Sequence, residues 1–381
     1  MTRVITFSTN ISAGHQRAAE AVARAMMAGC SDAEIVERDS MSLIGPSRRR
    51  ILTDAYLSII RYKPSFWNYL YHNKEISSGI NRLGKVFLAR AFEAFEAEIE
   101  LHEPDVVICT QAIPARIIAD LRASGRCKPP VLAVATDYGI HPYWAHEGID
   151  RYAVPCEMAA EELIRDGIPS DRIHVTGIPV DAIFEQPPTR QIARHTLGLP
   201  MEGRFVLVMG GGNGLGVTAD HVASIERTPG VDAVIVIAGR NAALQRAVQK
   251  LPPCENKLRL VLSTVTDIER YYAASDVLVS KPGGLTMSEA TAMGMPLVMI
   301  SPLPGQEVRN AQFLSRAGAA LQAMNPSELS HILSELLSDG AKLSALASAS
   351  RRVGRSGASR QIASIALEMA RGRSQLAQAI S

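Results

Sequence analysis

The sequence predicts an α/β protein made of two doubly wound domains in tandem, and three observations carry that expectation. Short, near-continuous apolar runs alternate with longer helical patterns, as in parallel strands covered on both faces by helices. The alternation runs through one series, pauses, and starts again. The length of 381 residues exceeds what a single hydrophobic core ordinarily serves.

In the first series the expected strands are 4–8, 34–38, 106–110, 131–136 and 173–176. In the second they are 205–209, 233–238, 258–262, 277–280 and 297–300. The pause holds Gln186-Pro187-Pro188 and Leu199-Pro200 and has no long apolar run, so 181–204 reads as a linker with a short helix. The expected domains are therefore 1–180 and 205–358. Beyond them, apolar Ile362, Ile365, Leu367, Met369 and Leu376 mark a C-terminal helix over 359–381.

Composition narrows the function. Hydrophobic residues make up 47% and charged residues 20%, the range of a folded globular chain. A net charge of +2 argues against nucleic acid as a partner through bulk electrostatics. The five cysteines, Cys30, Cys109, Cys127, Cys156 and Cys254, are scattered and form no CxxC pair. They fit a reducing compartment better than a disulfide framework or a zinc site. The chain opens almost directly on the strand-like Val4-Ile5-Thr6-Phe7-Ser8, which does not resemble a signal peptide. No apolar run approaches the roughly 20 residues that span a bilayer, so any membrane contact is expected at the surface.

One segment breaks the alternation. Residues 48–90 hold nine Lys/Arg against two Asp/Glu, and seven of the chain's 19 aromatic residues. Cations interleaved with rings suit the interface of an anionic membrane. Two other readings stand beside it: a helical insertion with its rings packed inward, and a local nucleic-acid surface.

Five motifs lie at strand ends. Phe205–Met209 runs into Gly210-Gly211-Gly212-Asn213-Gly214-Leu215-Gly216. Glycines let backbone N–H groups approach an anion closely, the N-terminus of a helix expected to follow them favours negative charge, and the absence of a following Gly-Lys-Ser/Thr separates this diphosphate cradle from a Walker loop. Val277–Ser280 runs into Lys281-Pro282-Gly283-Gly284-Leu285-Thr286-Met287-Ser288-Glu289. There Thr286 or Ser288 is expected to cap a helix, and Glu289 offers a carboxylate to a ribose diol; the plainer reading is that Glu289 complements the helix dipole. Leu297–Ile300 leads to Pro304-Gly305-Gln306-Glu307 and Asn310, a mixture of donors and acceptors suited to sugar hydroxyls. In the first half, His15 follows strand one and can exchange a proton near neutral pH, unless it only serves a helix start. Asp137 follows the strand at 131–136, with His141, Trp144 and His146 close behind.

Together these motifs resemble the monogalactosyldiacylglycerol synthases and the bacterial processive diacylglycerol glucosyltransferases, relatives of the N-acetylglucosaminyltransferase of lipid II synthesis. The resemblance rests on Gly14-His15, Thr136-Asp137 with His141, Trp144 and His146, Gly177-Ile178-Pro179-Val180, the glycine loop from Met209 to Gly214, Lys281-Pro282-Gly283-Gly284 with Glu289-Ala290, and Pro304-Gly305-Gln306-Glu307 with Asn310. It spans nearly the whole chain in order. One departure is the run Ile11-Ser12-Ala13-Gly14, less rich in glycine than in the plant synthases and nearer the bacterial enzymes.

The resemblance implies the GT-B architecture: two Rossmann-like domains facing a cleft, an acceptor domain first, a donor domain second, and a last helix crossing back to the first. It implies a UDP-hexose donor, glucose or galactose, and a diacylglycerol-type lipid acceptor on the inner face of the cell membrane. Asp137 matches the general base and His15 the acceptor-side histidine. Gly211, Gly212, Asn213 and Gly214 match the diphosphate site, and the helix start at Gly283 and Gly284, with Thr286, is expected from its own residues to help hold the charge on UDP. Glu289 matches the ribose acid, Gln306 and Glu307 (with Asn310) the sugar contacts, and Val265 the backbone position that holds uracil. The expected reaction is inverting. With no Asp-x-Asp pair at a strand end, neither a metal nor a cofactor beyond the donor is expected. Alternatives of other classes are a UDP-N-acetylglucosamine 2-epimerase-like isomerase, a non-catalytic UDP-sugar sensor, and a soluble transferase acting on a small molecule.

Overall fold

The structure, a computed structural model, describes residues 1–10, 13–45 and 89–380. Most of the basic, aromatic segment 48–90 therefore lies outside the described residues, as do Ile11 and Ser12 of the first loop. The chain divides into two compact units, Met1–Asp181 with Pro304–Gln306 and Gly357–Ser381, and Ala182–Leu303 with Glu307–Ser356.

Unit 1 carries a six-stranded parallel sheet of β1 (Thr2–Ser8), β2 (Ala33–Asp39), β3 (Val106–Cys109), β4 (Val131–Val134), β5 (Arg151–Val154) and β6 (Ile173–Val175), in the order β2-β1-β3-β4-β5-β6. Ile5 of β1 lies opposite Val36 on one side and Val107 on the other, so β1 is a central strand. Helices α1 (Ala13–Gly29), α2 (Ser40–Leu43), α3 (Ala89–His102), α4 (Ala112–Ala123) and α5 (Glu157–Arg165) belong to this unit. Because β3 and β4 are buried on both faces, they read as unbroken apolar runs instead of alternating ones.

Unit 2 repeats the plan with β7 (Phe205–Met209), β8 (Ala233–Ile237), β9 (Leu258–Leu262), β10 (Val277–Ser280), β11 (Leu297–Ile300) and β12 (Ala320–Ala323), in the order β12-β11-β10-β7-β8-β9. Its helices are α6 (Arg190–Thr196), α7 (Ala219–Arg227), α8 (Ala242–Gln249), α9 (Ile268–Ala274), α10 (Gly284–Met293), α11 (Gln306–Arg316), α12 (Pro326–Ser338) and α13 (Gly340–Val353). The core joins Val206, Val208, Val234 and Val236 of the sheet to Val222 and Ile225 of α7 and to Leu329 and Leu333 of α12.

The C-terminal helix α14 (Ala358–Ile380) belongs to unit 1. Its Ile362, Ala366 and Met369 join Val4, Val22, Met26, Val106 and Ile108 in one core, and Ser359 donates to the Val180 carbonyl at 2.6 Å. The stretch 182–204 is ordered within unit 2. Thr189 caps α6, and the buried Arg194 donates to the carbonyls of Ala274, Met201 and Gly203 at 2.9, 2.8 and 3.0 Å while lying over the Phe205 ring.

Two strands have no counterpart among those the apolar runs predict. β5 opens on an arginine, and β12, Ala-Leu-Gln-Ala, holds no β-branched residue. Pairing with β4 and β6 in one case and with β11 in the other creates them, which local propensity does not report.

Each sheet reverses its winding beside its central strand. In unit 1 the switch falls between β1 and β3, and in unit 2 between β7 and β10. The loops at the carboxyl ends of those strands diverge and leave a crevice, where ligands bind in open α/β sheets. The predicted motifs sit at those ends.

Candidate functional site

In unit 2 the glycine loop is a tight turn strapped to the next loop along. Gly214 N–H donates to Gly211 O at 2.9 Å and Leu215 N–H to Gly210 O at 3.1 Å. Gly214 adopts φ +58°, and a Cβ there would stand 2.1 Å from the Ala238 carbonyl oxygen, so only glycine fits. The loop after β8 completes the strap: Arg240 N–H donates to Gly212 O at 3.0 Å, the Arg240 guanidinium to Asn213 Oδ1 at 2.8 Å, and the Asn241 amide to Gly214 O at 2.9 Å.

This geometry corrects one expectation. No helix begins at the glycine loop. α7 starts only at Ala219, under a capping box formed by Thr218 and His221. The cradle at Gly211–Gly214 is therefore backbone and Arg240, without a helix terminus.

The second turn is a helix terminus. α10 begins at Gly284 with Gly283 as N-cap and no side-chain cap, so its first-turn N–H groups are left for an anion. Thr286 and Ser288 lie inside the helix and do not cap it, against the expectation from sequence. Lys281, at the end of β10, ties the two turns together. Its Cε lies 3.7 Å from where a Gly211 Cβ would stand, and its Nζ lies 3.4 Å from that position at Gly283. The ammonium forms an ion pair with Glu307, which also accepts the Leu303 N–H at 2.9 Å. Glu307 is thus committed to holding the Lys281 ammonium beside the two glycine turns. Its expected contact with sugar hydroxyls would have to compete with that pair.

Glu289 lies in the second turn of α10, 3% exposed, where its carboxylate accepts the Tyr272 hydroxyl at 3.2 Å. Tyr272, fully buried on α9 and edge-on to Phe184 at 5.9 Å, carries no sequence signal for this role. This buried carboxylate, oriented by a phenol, lies beyond the first turn of the helix, the turn in which a carboxylate complements the dipole. Val265 sits half-buried on the loop between β9 and α9, at the same sheet edge. Asn310, fully buried, donates to the Pro282 carbonyl at 3.0 Å and so braces the Pro-Gly-Gly turn from α11. Gln306 opens α11, and its Oε1 is buried without a hydrogen-bond partner among the described residues. A buried amide oxygen in that state is costly unless a ligand hydroxyl serves it.

In unit 1, His15 stands in the first turn of α1, beside the switch between β1 and β3. Its Nδ1 lies 3.0 Å from the Thr110 carbonyl oxygen and 2.8 Å from Thr136 Oγ1. A carbonyl only accepts, so Nδ1 carries the hydrogen and Nε2 keeps the lone pair. Burial pushes the imidazole pKa down to about 4, against a smaller opposing effect of the Thr110 hydrogen bond, so the ring is neutral at physiological pH. Asp137 follows Thr136 directly, just beyond β4, which places its backbone next to the residue that touches His15. Nearby, His141 caps a 3-10 turn by accepting the Tyr143 N–H at 3.0 Å, and His146 accepts the Gly148 N–H at 2.9 Å, so these two histidines shape the loop. Thr110 escaped sequence reading because only the pairing of β1 with β3 brings it to His15.

Among the described residues no group of three His, Cys, Asp or Glu side chains is placed to hold a metal ion, and no helix is long and apolar enough to cross a membrane.

The chain resembles known proteins along most of its length. Residues 15–180 match the model of the monogalactosyldiacylglycerol (MGDG) synthase family, and 205–364 match the glycosyltransferase family 28 C-terminal domain. A processive diacylglycerol beta-glucosyltransferase of Bacillus cytotoxicus is 30% identical over 273 residues, 71% of this chain and 68% of the relative. One of Bacillus pumilus is 26% identical over 347 residues, 90% of this chain and 89% of the relative. Among solved structures, Acinetobacter baumannii MurG superposes with a TM-score of 0.63 at 16% identity, covering 97% of this chain and 100% of that one. Staphylococcus aureus MnaA, solved with UDP, gives 0.62 at 15% identity, covering 95% of each chain. The fold is therefore GT-B. Two glycine turns meeting at one switch point, a neutral histidine at the other, and this degree of identity lead to one conclusion: the chain belongs to the family of the monogalactosyldiacylglycerol synthases and processive diacylglycerol glucosyltransferases.

Proposed function

We propose that the chain transfers a hexose, with inversion, from a UDP-hexose to a diacylglycerol-type lipid, working as a peripheral protein on the inner face of the cell membrane. The observation that carries this reading is the meeting of Lys281, the uncapped start of α10 and the strapped glycine loop at one switch point. Each is suited to negative charge, and a departing nucleoside diphosphate develops negative charge. Glu289, oriented by Tyr272, offers acceptors for the ribose diol, and Gln306 an unserved amide oxygen for a sugar hydroxyl.

In the proposed step the acceptor oxygen forms a bond to the anomeric carbon as the bond from that carbon to the diphosphate oxygen breaks. Asp137 takes the hydroxyl proton. His15, neutral with its lone pair on Nε2, orients the hydroxyl and shares the proton. Positive charge from Lys281 and from the α10 terminus supports turnover without a bound metal.

The test is to incubate the protein with UDP-glucose, UDP-galactose or UDP-N-acetylglucosamine and diacylglycerol vesicles, with and without a chelator, and to identify products by mass. The expected result is a hexosyl-diacylglycerol formed at the same rate in chelator. No glycolipid with any donor overturns the transferase reading. Solvent-proton exchange into UDP-N-acetylglucosamine without lipid would place the chain among the isomerases. The segment 48–90 is proposed as the membrane contact, so replacing Arg48, Arg49 and Arg50 by Ser should weaken co-sedimentation with anionic vesicles.

A further inference from the structure

A second charged cavity lies at the other edge of the unit 2 sheet. The glycine turns occupy the carboxyl ends of the strands. Arg204, Asp276 and Pro296, which immediately precede β7, β10 and β11, occupy the amino ends and line a cavity of about 490 Å³. Arg190 of α6 and Arg351 of α13 line it too. Of its lining only Tyr272 bears on the donor site, through the hydroxyl that meets Glu289.

Its charge is out of balance. Asp276 is the one acidic residue among those described as lining the cavity, and its side chain is fully buried. Three arginines converge on it: Arg190 at 2.9 Å, Arg204 at 3.2 Å and, from behind, Arg194 at 3.4 Å. The Phe205 N–H donates to the same carboxylate at 2.8 Å. One carboxylate would be satisfied by less. Arg194 has a structural task, since its other donors hold three backbone carbonyls. Arg190 and Arg204 have no comparable task. They are 48% and 43% exposed, and both approach Asp276 Oδ1, so their contacting nitrogens stand within about 6 Å of each other. Arg351 packs against Gly294 and spends one donor, on the Met293 carbonyl at 3.2 Å. A guanidinium has five N–H donors, so these three cations line one cavity with most of their donors unspent. Arginines so arranged match the geometry of a phosphate group. The remaining wall includes Pro188, Ala273, Met295 and Leu343, which suits an apolar body attached to the charged group.

We propose that this cavity is a second anion site, taking a ligand that carries a phosphate monoester, either a small soluble one or the headgroup of a phospholipid. The site is separate from the donor crevice and does not rest on the reading of the transfer reaction.

The test uses the full chain with excess UDP present, so that any phosphate bound at the glycine turns is the same in every sample. Titration calorimetry with inorganic phosphate and with sn-glycerol 3-phosphate reads the soluble arm. Co-sedimentation with phosphatidylcholine vesicles, with and without phosphatidic acid, reads the lipid arm. Two variants are compared with wild type, Arg190→Gln/Arg351→Gln and Ser344→Glu. The second adds a carboxylate at an exposed lining position on α13 and removes no contact of the fold. Saturable binding in either arm is expected, weakened about tenfold or more for each arginine removed, and weakened likewise by Ser344→Glu. Soluble binding alone identifies a small phosphate ester as the ligand. Binding confined to phosphatidic acid vesicles, and lost in the variants, identifies a headgroup. Absence of saturable binding in both arms overturns the proposal, as does wild-type affinity in both variants.

Discussion

Replacing Lys281 by Met separates the two tasks assigned to that residue. The Lys281 side chain is 14% exposed and that of Glu307 8%, so each ion is largely out of water and compensated by the other. Removing one partner of a buried pair costs about 3–5 kcal/mol because the survivor stays buried and uncompensated. Here the survivor, Glu307, keeps the Leu303 N–H at 2.9 Å, which lowers the expected cost to roughly 2–3 kcal/mol. For a unit of this size that is a fall of roughly 5–10 °C in its melting transition. Independently, loss of one charge-assisted contact to the leaving diphosphate should remove about 1.5–3 kcal/mol of transition-state stabilisation, a drop of about 10- to 100-fold in kcat/KM. The double variant Lys281→Met/Glu307→Gln distinguishes the two effects. With no buried charge left, the melting transition should recover while turnover stays low. Calorimetric melting and initial rates with UDP-hexose measure both. If the double variant recovers turnover along with stability, Lys281 is merely the counter-ion of Glu307 and the argument for the phosphate end of the site fails.

Three further outcomes follow from the same geometry. His15 should titrate near pH 4 in a carbon-13 or nitrogen-15 NMR experiment, with its proton on Nδ1 when neutral. Its folded pKa lies below the unfolded value of about 6.5, so the unfolded chain takes up a proton first and the stability due to this ring drains away as pH falls from about 6.5 towards 4; an ordinary titration near 6.5 would refute the buried, neutral state. Asp137→Asn should lower turnover by at least about 10²-fold, and near-wild-type rates would remove Asp137 from the proton-accepting role. Tyr272→Phe keeps the ring against Phe184 but deletes the hydroxyl that orients Glu289, so KM for the UDP-sugar should rise about tenfold with kcat little changed; an unaltered KM would sever Glu289 from nucleotide recognition.

Much of this arrangement was legible before any coordinates. The two series of apolar strands were readable because burial on both faces of a parallel sheet demands unbroken hydrophobic runs, as in Val-Val-Ile-Cys of β3 and Phe-Val-Leu-Val-Met of β7. The glycine turns were readable because close backbone approach and positive φ leave few alternatives to glycine, as at Gly214. Chain order alone also brings His15, Asp137, Gly283 and Glu289 near strand ends.

The partners of those residues belonged to the tertiary structure. Lys281 meets Glu307, Asn310 meets the Pro282 carbonyl, Tyr272 meets Glu289, and His15 meets Thr110, 95 residues away in sequence. Local pattern specifies an element and the turn that ends it, but not which element becomes its neighbour. That choice is made when β10 docks beside β7 instead of beside β9, and β3 beside β1 instead of beside β2. The same docking gathers Arg190, Arg204 and Arg351 around one buried aspartate, a grouping no spacing rule reveals. Apolar periodicity is a property of one segment and its burial, whereas hydrogen bonds and ion pairs between segments depend on sheet order, which emerges only when the whole core assembles.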